Sequence, residues 1–276
     1  MIFLTQRPSQ TSSPSSTALT RRNNIADYLE LDGAAIVVTG ASSGIGRAFA
    51  VEASRHGARI ALCARRTDAL EEVKASLSGS GHTVVQYDLS QLDGIPALLK
   101  GIATEMGPLS GLVHAAGVHS TSALRGITAE QLSSMFEINV STAVMLAKGF
   151  RHKQVRAAHS SIVFLSSVAG MTGQAGVSVY SATKGAVASL ARSLAIELAR
   201  EGIRVNSVAP GIVETELSAG IRAAIGEQAW ADVEAAHPLG IGSADDVAKA
   251  ILYLVSPASR WATGTSLVID GGYTAQ

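Results

Sequence analysis

Tyr180 and Lys184 lie four residues apart in the segment Tyr-Ser-Ala-Thr-Lys, and this pair is the part of the sequence that most directly suggests chemistry. Residues at i and i+4 share one face of a helix, so the phenol and the ammonium can point into one cleft. A free tyrosine ionises near pH ~10, and a cation held close to it lowers that pKa. The spacing therefore predicts a tyrosine that serves as a general acid or base near neutral pH.

A glycine-rich segment, Thr39-Gly-Ala-Ser-Ser-Gly-Ile-Gly46, follows an apolar run and precedes a helical pattern. Glycines let the backbone approach a pyrophosphate closely, and free amides at the start of a helix favour its negative charge. In this context the segment predicts a dinucleotide-binding turn.

The second apolar run ends in Cys63-Ala-Arg-Arg66, without an acid. NAD enzymes with a doubly wound fold place an acid there, where it binds the ribose 2′-hydroxyl. A guanidinium instead pairs with a 2′-phosphate. We therefore expect NADP(H) as the cofactor, with Arg65 as the main phosphate ligand and Arg66 assisting. The alternative is a pair of solvated arginines.

From Gly33 onward, short apolar runs alternate with helical patterns, which indicates βαβ units around a parallel sheet. Seven such runs and no long polar linker predict one doubly wound, Rossmann-like α/β domain over residues 31–276, with helices on both faces of the sheet. Thr67 is a predicted helix N-cap. The predicted strands are 35–39, 59–64, 83–87, 111–114, 161–165, 203–208 and 266–269. Helical patterns are predicted near 129–155 and 244–255, with an irregular helical insertion over 212–240.

The composition narrows the function classes. Hydrophobic residues form 47% of the 276-residue chain and charged residues 16%, and the formal net charge is zero. No basic surface for nucleic acid, no polybasic helix and no run of ~18 apolar residues for a membrane span is present in the sequence. The single Cys63 excludes an internal disulfide and fits a reducing compartment, so we expect a cytoplasmic protein. No metal site is expected.

The first residues differ from the rest of the chain. They are rich in serine and threonine, carry Arg7, Arg21 and Arg22, and contain no acid before Asp27. This composition fits an organelle transit peptide, a disordered tail or an upstream start. We assign residues 1–30 to an N-terminal extension, favour the tail interpretations, and leave targeting open.

The TGxxxGxG turn, Asn139, the Ser166-Ser167 pair and the YxxxK spacing together resemble the short-chain dehydrogenase/reductase family over about residues 31–272. The family's catalytic serine lies thirteen residues before its tyrosine, which corresponds to Ser167 rather than Ser166. The resemblance implies four catalytic residues: Asn139, Ser167, Tyr180 and Lys184.

The resemblance also implies a set of cofactor-binding positions. His114-Ala-Ala-Gly117 stands where the family has Asn-Ala-Ala-Gly, and we expect His114 to be structural. The turn would bind the pyrophosphate, the third strand's end the adenine, and the loop after the sixth strand the nicotinamide carboxamide. These cofactor-binding positions are Gly40, Ser42, Ser43, Gly44, Ile45, Gly46, Asp88, Leu89, Ala115, Gly117, Tyr180, Lys184, Pro210, Gly211, Ile212, Val213 and Thr215.

These parts imply hydride transfer between the nicotinamide and a small-molecule carbonyl or alcohol. Ser167, Tyr180 and Gln174 are the expected substrate contacts, with Tyr180 as the proton donor in reduction. Lys184 is expected to lower the Tyr180 pKa and to hold the nicotinamide ribose. Asn139 is expected to hold a water that links Lys184 to solvent.

The substrate is less well defined by the sequence. The expected pocket is bounded by residues 167–174, Val177 and 212–238. Within it Met171, Val177, Ile212 and Leu217 are apolar, and Thr172, Gln174 and Glu214 are polar.

The motifs are closest in style to 3-oxoacyl-(acyl-carrier-protein) reductases and to sugar or polyol dehydrogenases. Arg151, Lys153 and Arg156 can form a docking surface for an acidic carrier protein, although Glu201 stands where a basic residue is expected, and an exposed helix end is the favoured interpretation. A non-catalytic NADP-binding regulator is the alternative from another class.

A homotetramer, built as a dimer of dimers, is the expected assembly. The helix that carries Tyr180 has an apolar stripe at helical spacing, which either forms a subunit interface or packs on the sheet. Periodicity does not separate these two arrangements. The stripe consists of Ala186, Val187, Leu190, Leu194 and Leu198.

Overall fold

Runs of aliphatic and β-branched residues form one parallel sheet in the computed structural model, which describes residues 29–276. All five residues of the first strand are buried, as a parallel strand covered on both faces requires. The strands are β1 (Ala35–Thr39), β2 (Arg59–Ala64), β3 (Thr83–Gln86), β4 (Leu109–His114), β5 (Arg156–Leu165), β6 (Ile203–Pro210), β7 (Val213–Glu214), β8 (Gly242–Ser243) and β9 (Ser266–Ile269).

Helices cover both faces of this sheet, and each face has its own apolar cluster. Along β1, Ile36 and Val38 pack into one cluster, whereas Ala35 and Val37 pack into the other, because successive strand side chains point to opposite faces. The helices are α1 (Gly44–Arg55), α2 (Thr67–Ala75), α3 (Ile95–Met106), α4 (Ala129–Phe136), α5 (Thr142–Phe150), α6 (Ser178–Leu198), α7 (Glu216–Ile225), α8 (Glu227–Ala235) and α9 (Ala244–Val255).

The strand order of the large sheet is β3-β2-β1-β4-β5-β6-β9, and every neighbouring pair is parallel. The order reverses between β1 and β4. In doubly wound sheets ligands bind beyond the carboxyl ends of the strands at this switch point. The predicted fold class, a doubly wound α/β fold with seven parallel strands, is confirmed.

Several predicted boundaries hold and others move. The strands predicted at 35–39, 59–64 and 266–269 coincide with β1, β2 and β9. In contrast, β5 begins at Arg156 rather than 161, because its first residues extend beyond the buried apolar run into partly exposed positions. A periodicity argument detects only the buried part of such a strand.

Two local predictions are corrected by the structure. Thr67 is the first residue of α2, and Arg66 occupies the N-cap position without a side-chain cap. The long helical pattern near 129–155 is interrupted by a π-helical turn, Glu137–Ser141, and helix ends at Phe150. Single π turns of this kind often occur at functional sites.

The apolar stripe of α6 faces the sheet. Val187 and Leu198 are buried in the cluster on that face, and Leu190 and Leu194 pack against it. Four of the five residues of the stripe thus pack toward the sheet, and the assembly stays a prediction.

The predicted insertion over 212–240 contains β7, α7 and α8, and β7 pairs with β8, which lies just beyond it. Within residues 29–276, no helix combines the length and apolarity needed to cross a bilayer. Nearly all of the predicted N-terminal extension lies outside the described residues, and the division of the chain at residue 30 stays a prediction.

Candidate functional site

The site begins at the junction of β1 and β4. Thr39 ends β1, His114 ends β4, and Thr39 Oγ1 lies 2.8 Å from His114 Nδ1. Burial, with a smaller effect from the charge of Lys184, lowers the pKa of His114 to about 3, so the imidazole is neutral. The bond ties two strands together at the switch point, which supports the structural role predicted for His114.

The packing of the chain itself requires two glycines in the turn after β1. A Cβ on Gly40 would lie 2.6 Å from Ala116 N, and a Cβ on Gly46 would collide with Gly40 O. Gly40 and Gly44 also have positive φ values of 66° and 52°, which favour glycine. The glycines thus bring the turn against the loop that follows β4.

The amides at the start of α1 suit an anion. Ser43 occupies the N-cap position in an extended conformation, and its side chain forms no cap hydrogen bond. The first amides of a helix have no intrahelical acceptor, and together with the helix dipole they favour a phosphate. Ser42 and Ser43 precede this helix start, so the turn fits the pyrophosphate of a dinucleotide.

Arg65 and Arg66 follow β2 at the same end of the sheet, and both are exposed. Within residues 29–276 neither guanidinium forms a hydrogen bond or an ion pair. Asp88 lies after β3, where its carboxylate accepts hydrogen bonds from the Ser90 amide and hydroxyl, and these bonds lower its pKa. Leu89 is buried beside it. Arg65 acts on Asp88 only through its charge, which helps to lower the Asp88 pKa, so two exposed guanidiniums at this position fit a 2′-phosphate.

Tyr180 lies near the start of α6, and the Ser167 side chain lines the same cavity, close enough to the phenol to lower its pKa. Ser167 Oγ also accepts the Ala169 amide at 3.2 Å. Ser166 instead donates to Lys184 O at 2.8 Å. The structure thus places Ser167, and not Ser166, beside the tyrosine.

Lys184 is a buried cation, with 6% of its surface exposed. Its Nζ donates to Leu165 O at 2.8 Å and lies 5.6 Å from the centre of the Tyr180 ring. Burial lowers the pKa of Lys184 to about 8. The ammonium therefore stays charged at neutral pH with a backbone carbonyl as its hydrogen-bond partner.

The pKa of Tyr180 differs from expectation. Burial raises it above its usual value of 10, and the hydrogen bond with Ser167 opposes only part of this effect. The sequence predicts that Lys184 lowers this pKa, but in this structure the removal of the phenol from water dominates. Burial thus makes the phenol hold its proton more tightly than a free tyrosine does.

Asn139 lies in the π-helical turn and is buried behind the tyrosine. Its side chain donates to Val118 O and Thr183 Oγ1, both at 3.0 Å, and accepts the Val118 amide at 2.9 Å. A Cβ on Gly117 would lie 3.2 Å from the Asn139 amide oxygen and 3.4 Å from Lys184 Nζ. The Asn139 side chain thus fixes the loop after β4 against α6.

These groups meet at a cavity of about 420 Å³. Its lining contains most of the predicted catalytic and nicotinamide-side residues, whereas Asn139 and the arginines lie outside it. The predicted residues that line the cavity are Ile45, Ala115, Gly117, Ser167, Gln174, Val177, Tyr180, Lys184, Pro210, Gly211, Ile212, Val213 and Leu217.

The far wall of the cavity comes from α7, α8 and the segment after β9. It is mostly apolar, with Ile221, Ile225 and Trp230 from the helices. Three residues expected in the pocket lie elsewhere: Met171 is exposed, Thr172 donates to Val168 O, and Glu214 faces a separate groove. Thr215, predicted to bind the cofactor, caps α7.

Sequence reasoning assigned no role to three aromatic residues that line the cavity: His119, His237 and Tyr273. The His119 ring meets the Tyr180 ring edge-on at 4.6 Å, and burial, with help from the Lys184 charge, lowers its pKa. His237 and Tyr273 stack on each other at 4.9 Å in the far wall. His119 follows the His114–Gly117 motif closely, so its position was a usable signal, whereas His237 and Tyr273 carry none.

The chain matches known proteins over almost its whole described length. A family model described as "Enoyl-(Acyl carrier protein) reductase" matches residues 40–274. The cis-4-hydroxycyclohexanecarboxylate dehydrogenase of Sinomonas cyclohexanicum is 37% identical over 243 residues, which cover 87% of this chain and 96% of that protein. An NADP-dependent (R)-specific alcohol dehydrogenase of Lentilactobacillus kefiri is 31% identical, covering 89% of this chain and 98% of its own.

A solved structure agrees with these sequence matches. The crystal structure of a short-chain type dehydrogenase/reductase from Mycobacterium marinum superposes with a TM-score of 0.82 at 31% identity, covering 92% of this chain and 100% of that chain. Sequence and structure comparisons thus point to the same family.

Proposed function

The chain belongs to the short-chain dehydrogenase/reductase family of oxidoreductases, and we propose that it interconverts a compact ketone and its secondary alcohol with NADP(H). One observation carries this proposal. Tyr180, Ser167 and Lys184 line one mostly apolar cavity, with the Lys184 ammonium 5.6 Å from the centre of the Tyr180 ring and the segment after β6 beside them.

The choice of NADP(H) rests on the end of β2. Arg65 and Arg66 offer two exposed guanidiniums where an NAD enzyme needs an acid. The alcohol dehydrogenase relative that carries "NADP-dependent" in its name agrees with this choice. The start of α1 would hold the pyrophosphate, and the loop Pro210–Val213 would hold the nicotinamide carboxamide.

When bound, the nicotinamide exchanges a hydride with the carbonyl carbon. Ser167 and Tyr180 would hydrogen-bond the carbonyl oxygen and orient it. In reduction Tyr180 would donate its proton to that oxygen, and its raised pKa keeps this proton in place at neutral pH. The charge of Lys184 would stabilise the phenolate that remains, and Asn139 would hold the surrounding loop and a proton-relay water.

The walls favour a compact and largely apolar substrate. Leu217, Ile221 and Trp230 face the cavity, and among the described residues that line it Lys184 is the only lysine or arginine. Apolar walls favour hydrocarbon over the hydroxyls of a sugar. The relative that acts on a cyclohexane ring supports a ring ketone as the substrate class.

An acyl-carrier substrate, suggested by the description of the matched family model, is less well supported. Arg151 and Arg156 both pair with Glu201, and Arg151 also lies 3.6 Å from Glu197. Arg156 begins β5, so this cluster lies at the amino ends of the strands, opposite the cavity. Both arginines of the cluster are paired, which leaves Lys153 as its one cation without an acidic partner among residues 29–276, and the cluster lies at the wrong end of the sheet to dock an acidic carrier beside the cavity.

Turnover tests the proposed function. We would follow NADPH oxidation with cyclohexanones, a diketone, a keto-sugar and a 3-oxoacyl thioester. Tyr180→Phe should lower turnover by about 10²–10⁴ and leave NADPH affinity nearly unchanged. Tyr253→Phe, an exposed tyrosine on α9, is the matched control. Tight NADPH binding without turnover of any carbonyl or alcohol would favour the regulatory alternative.

Cofactor choice has its own test. Direct titration should show tighter binding of NADPH than of NADH, and Arg65→Ser should remove most of the difference. Arg260→Ser, an exposed arginine far from β2, should leave the preference unchanged. Equal affinities in the unmodified protein would overturn the choice of NADP(H).

We also propose a homotetramer, on the basis of the family alone. Exposed apolar residues on α5 and α6, Val144 and Ile196, are compatible with subunit contacts. Sedimentation equilibrium at micromolar concentration tests this assembly, and a monomer would exclude it.

A further inference from the structure

His237 joins two segments of the site that are distant in the sequence. It follows the end of α8, with 5% of its surface exposed. Its Nδ1 lies 2.7 Å from Val233 O, and its Nε2 accepts the Ile212 amide at 3.3 Å. One neutral tautomer, with the proton on Nδ1, satisfies both bonds.

The surroundings of this ring leave it little freedom. Tyr273 stacks on one face with an angle of 21° between the ring planes. A Cβ on Gly211 would lie 3.1 Å from His237 Nε2 and 3.0 Å from Asp270, so a larger residue at this position would crowd the ring. The Asp270 carboxylate is held in turn by the Gly272 amide and by Thr274.

The segments that His237 joins have different expected tasks. The loop after β6, residues 210–213, is the predicted contact for the nicotinamide carboxamide. Val233 and Tyr273 belong to the far wall of the cavity, where the substrate would lie. Hydride transfer requires the two reactants at a fixed separation, so a rigid link between their binding surfaces affects the rate directly.

We propose that His237 is a positioning residue, which holds the nicotinamide-side loop against the substrate-side wall. This inference rests on the proposed function. We call His237 with its partners Ile212, Val233 and Tyr273 the His237 clasp. The bond to the Ile212 amide is the part of the clasp that a substitution can remove selectively.

Hydrogen exchange tests the clasp without any cofactor. In the full chain, the Ile212 amide should exchange about tenfold faster in His237→Ala than in the unmodified protein, because its acceptor is gone. His237→Gln keeps an acceptor oxygen at a similar reach and should restore most of the protection. His159→Ala, an exposed histidine at the amino end of the sheet, should leave the Ile212 amide unchanged.

Kinetics test the consequence for the reaction. His237→Ala should lower kcat for the best ketone about tenfold, raise the NADPH Kd by less than that factor, and leave Tm within a few degrees. His237→Gln should recover most of kcat. A residue needed only for folding would lower Tm in both variants without this recovery.

The outcomes separate the two proposals. Unchanged Ile212 exchange in His237→Ala overturns the clasp, whatever the activity. Faster exchange with unchanged kcat and Kd shows that the link does not position the reactants, and it also overturns the proposal. If the unmodified protein binds no NADPH and turns over no substrate, the proposed function fails, while the exchange result still decides the clasp.

Discussion

Each end of the sheet contains a cation that is removed from water, and the two cations differ in the number of hydrogen-bond acceptors that the protein offers them. At the carboxyl ends, Lys184 Nζ has Leu165 O as its hydrogen-bond partner. At the amino ends, the half-buried Arg204 guanidinium donates to five acceptors in the connection from α9 to β9. Burial lowers the pKa of both groups.

This comparison shows how one fold separates function from stability. A cation with one protein acceptor has donors left for a ligand, and its desolvation remains largely uncompensated. A guanidinium that donates its hydrogen bonds to the protein's own carbonyls has few donors left for a ligand. It instead links the segments that carry those carbonyls. The first arrangement is typical of an active site and the second of a structural link.

The strongest challenge to this comparison is Lys184→Met. We expect turnover to fall by at least about 10², because the charge beside Tyr180 is lost. The free energy of unfolding of this variant should be up to about 3 kcal/mol higher. The pKa depression from 10.5 to about 8 measures the cost of burying the charge, and Met has no charge to bury. Urea denaturation and steady-state kinetics measure the two effects. Lys148→Met, on the exposed face of α5, should change neither, and a destabilised Lys184→Met would contradict the comparison.

Arg204→Met should produce the opposite pattern. Removing the guanidinium leaves several carbonyls short of a donor, so the free energy of unfolding should fall by about 4 kcal/mol. The folded fraction should keep its kcat, since the cluster is remote from the cavity. Arg204→Lys keeps a cation with fewer donors, so its free energy of unfolding should lie between those of the unmodified protein and Arg204→Met. A loss of kcat at unchanged stability would show that the amino end takes part in catalysis.

His114 gives the site a stability that depends on pH. Its pKa in the folded state is about 3, below the 6.5 of the unfolded chain, so the unfolded state takes up the proton first as the pH falls. The contribution of neutral His114 to the free energy of unfolding is therefore complete above about pH 6.5 and is lost progressively as the pH falls toward 3. Between pH 7 and pH 4 the unmodified protein should lose about 3 kcal/mol more stability than His114→Asn. Parallel acid dependence in the two proteins, measured by urea denaturation, would refute this account.

The smallest effect is expected from the ion pairs at the amino end. Glu201→Gln removes the partner of the half-exposed Arg151 and of Arg156, whose side chain is 9% exposed and also donates to Arg151 O and Ala157 O. The free energy of unfolding should change by less than about 1 kcal/mol, and the change should be smaller still at high salt. Turnover of a 3-oxoacyl thioester, if the enzyme accepts one, should stay the same. A marked gain with an acyl carrier substrate would show that this cluster is a latent docking surface.

The sequence predicted the central elements well, because buried strands follow a simple pattern. β1, β2 and β9 are short apolar runs between glycines and charged residues, and their bounds were predicted to the residue. The π-helical turn at Asn139 has no such pattern, because its residues fit an ordinary helix. The first residues of β5 are partly exposed, so they lie outside the apolar run from which this strand is predicted.

The candidate site also has one part that the sequence predicts and another part that it does not. Tyr180 and Lys184 follow from their spacing on one helix and Ser167 from the family resemblance, and the structure brings all three to one cavity. The His237 clasp joins residues that are 25 and 36 positions apart by contacts that no local pattern encodes. The sign of the Tyr180 pKa shift was predicted wrongly because it depends on burial depth, which only the folded structure supplies.

The burial of Cys63 in β2 makes the protein convenient for site-specific labelling. It is the only cysteine in the chain, its side chain is inaccessible, and burial raises the pKa of its thiol to about 12. Maleimides and oxidants react with exposed thiolates, so they should leave it untouched. A cysteine introduced at Leu239, which is 87% exposed and two residues beyond His237, would be the single reactive thiol. A fluorophore attached there would report movement of the cavity wall in an otherwise unmodified molecule.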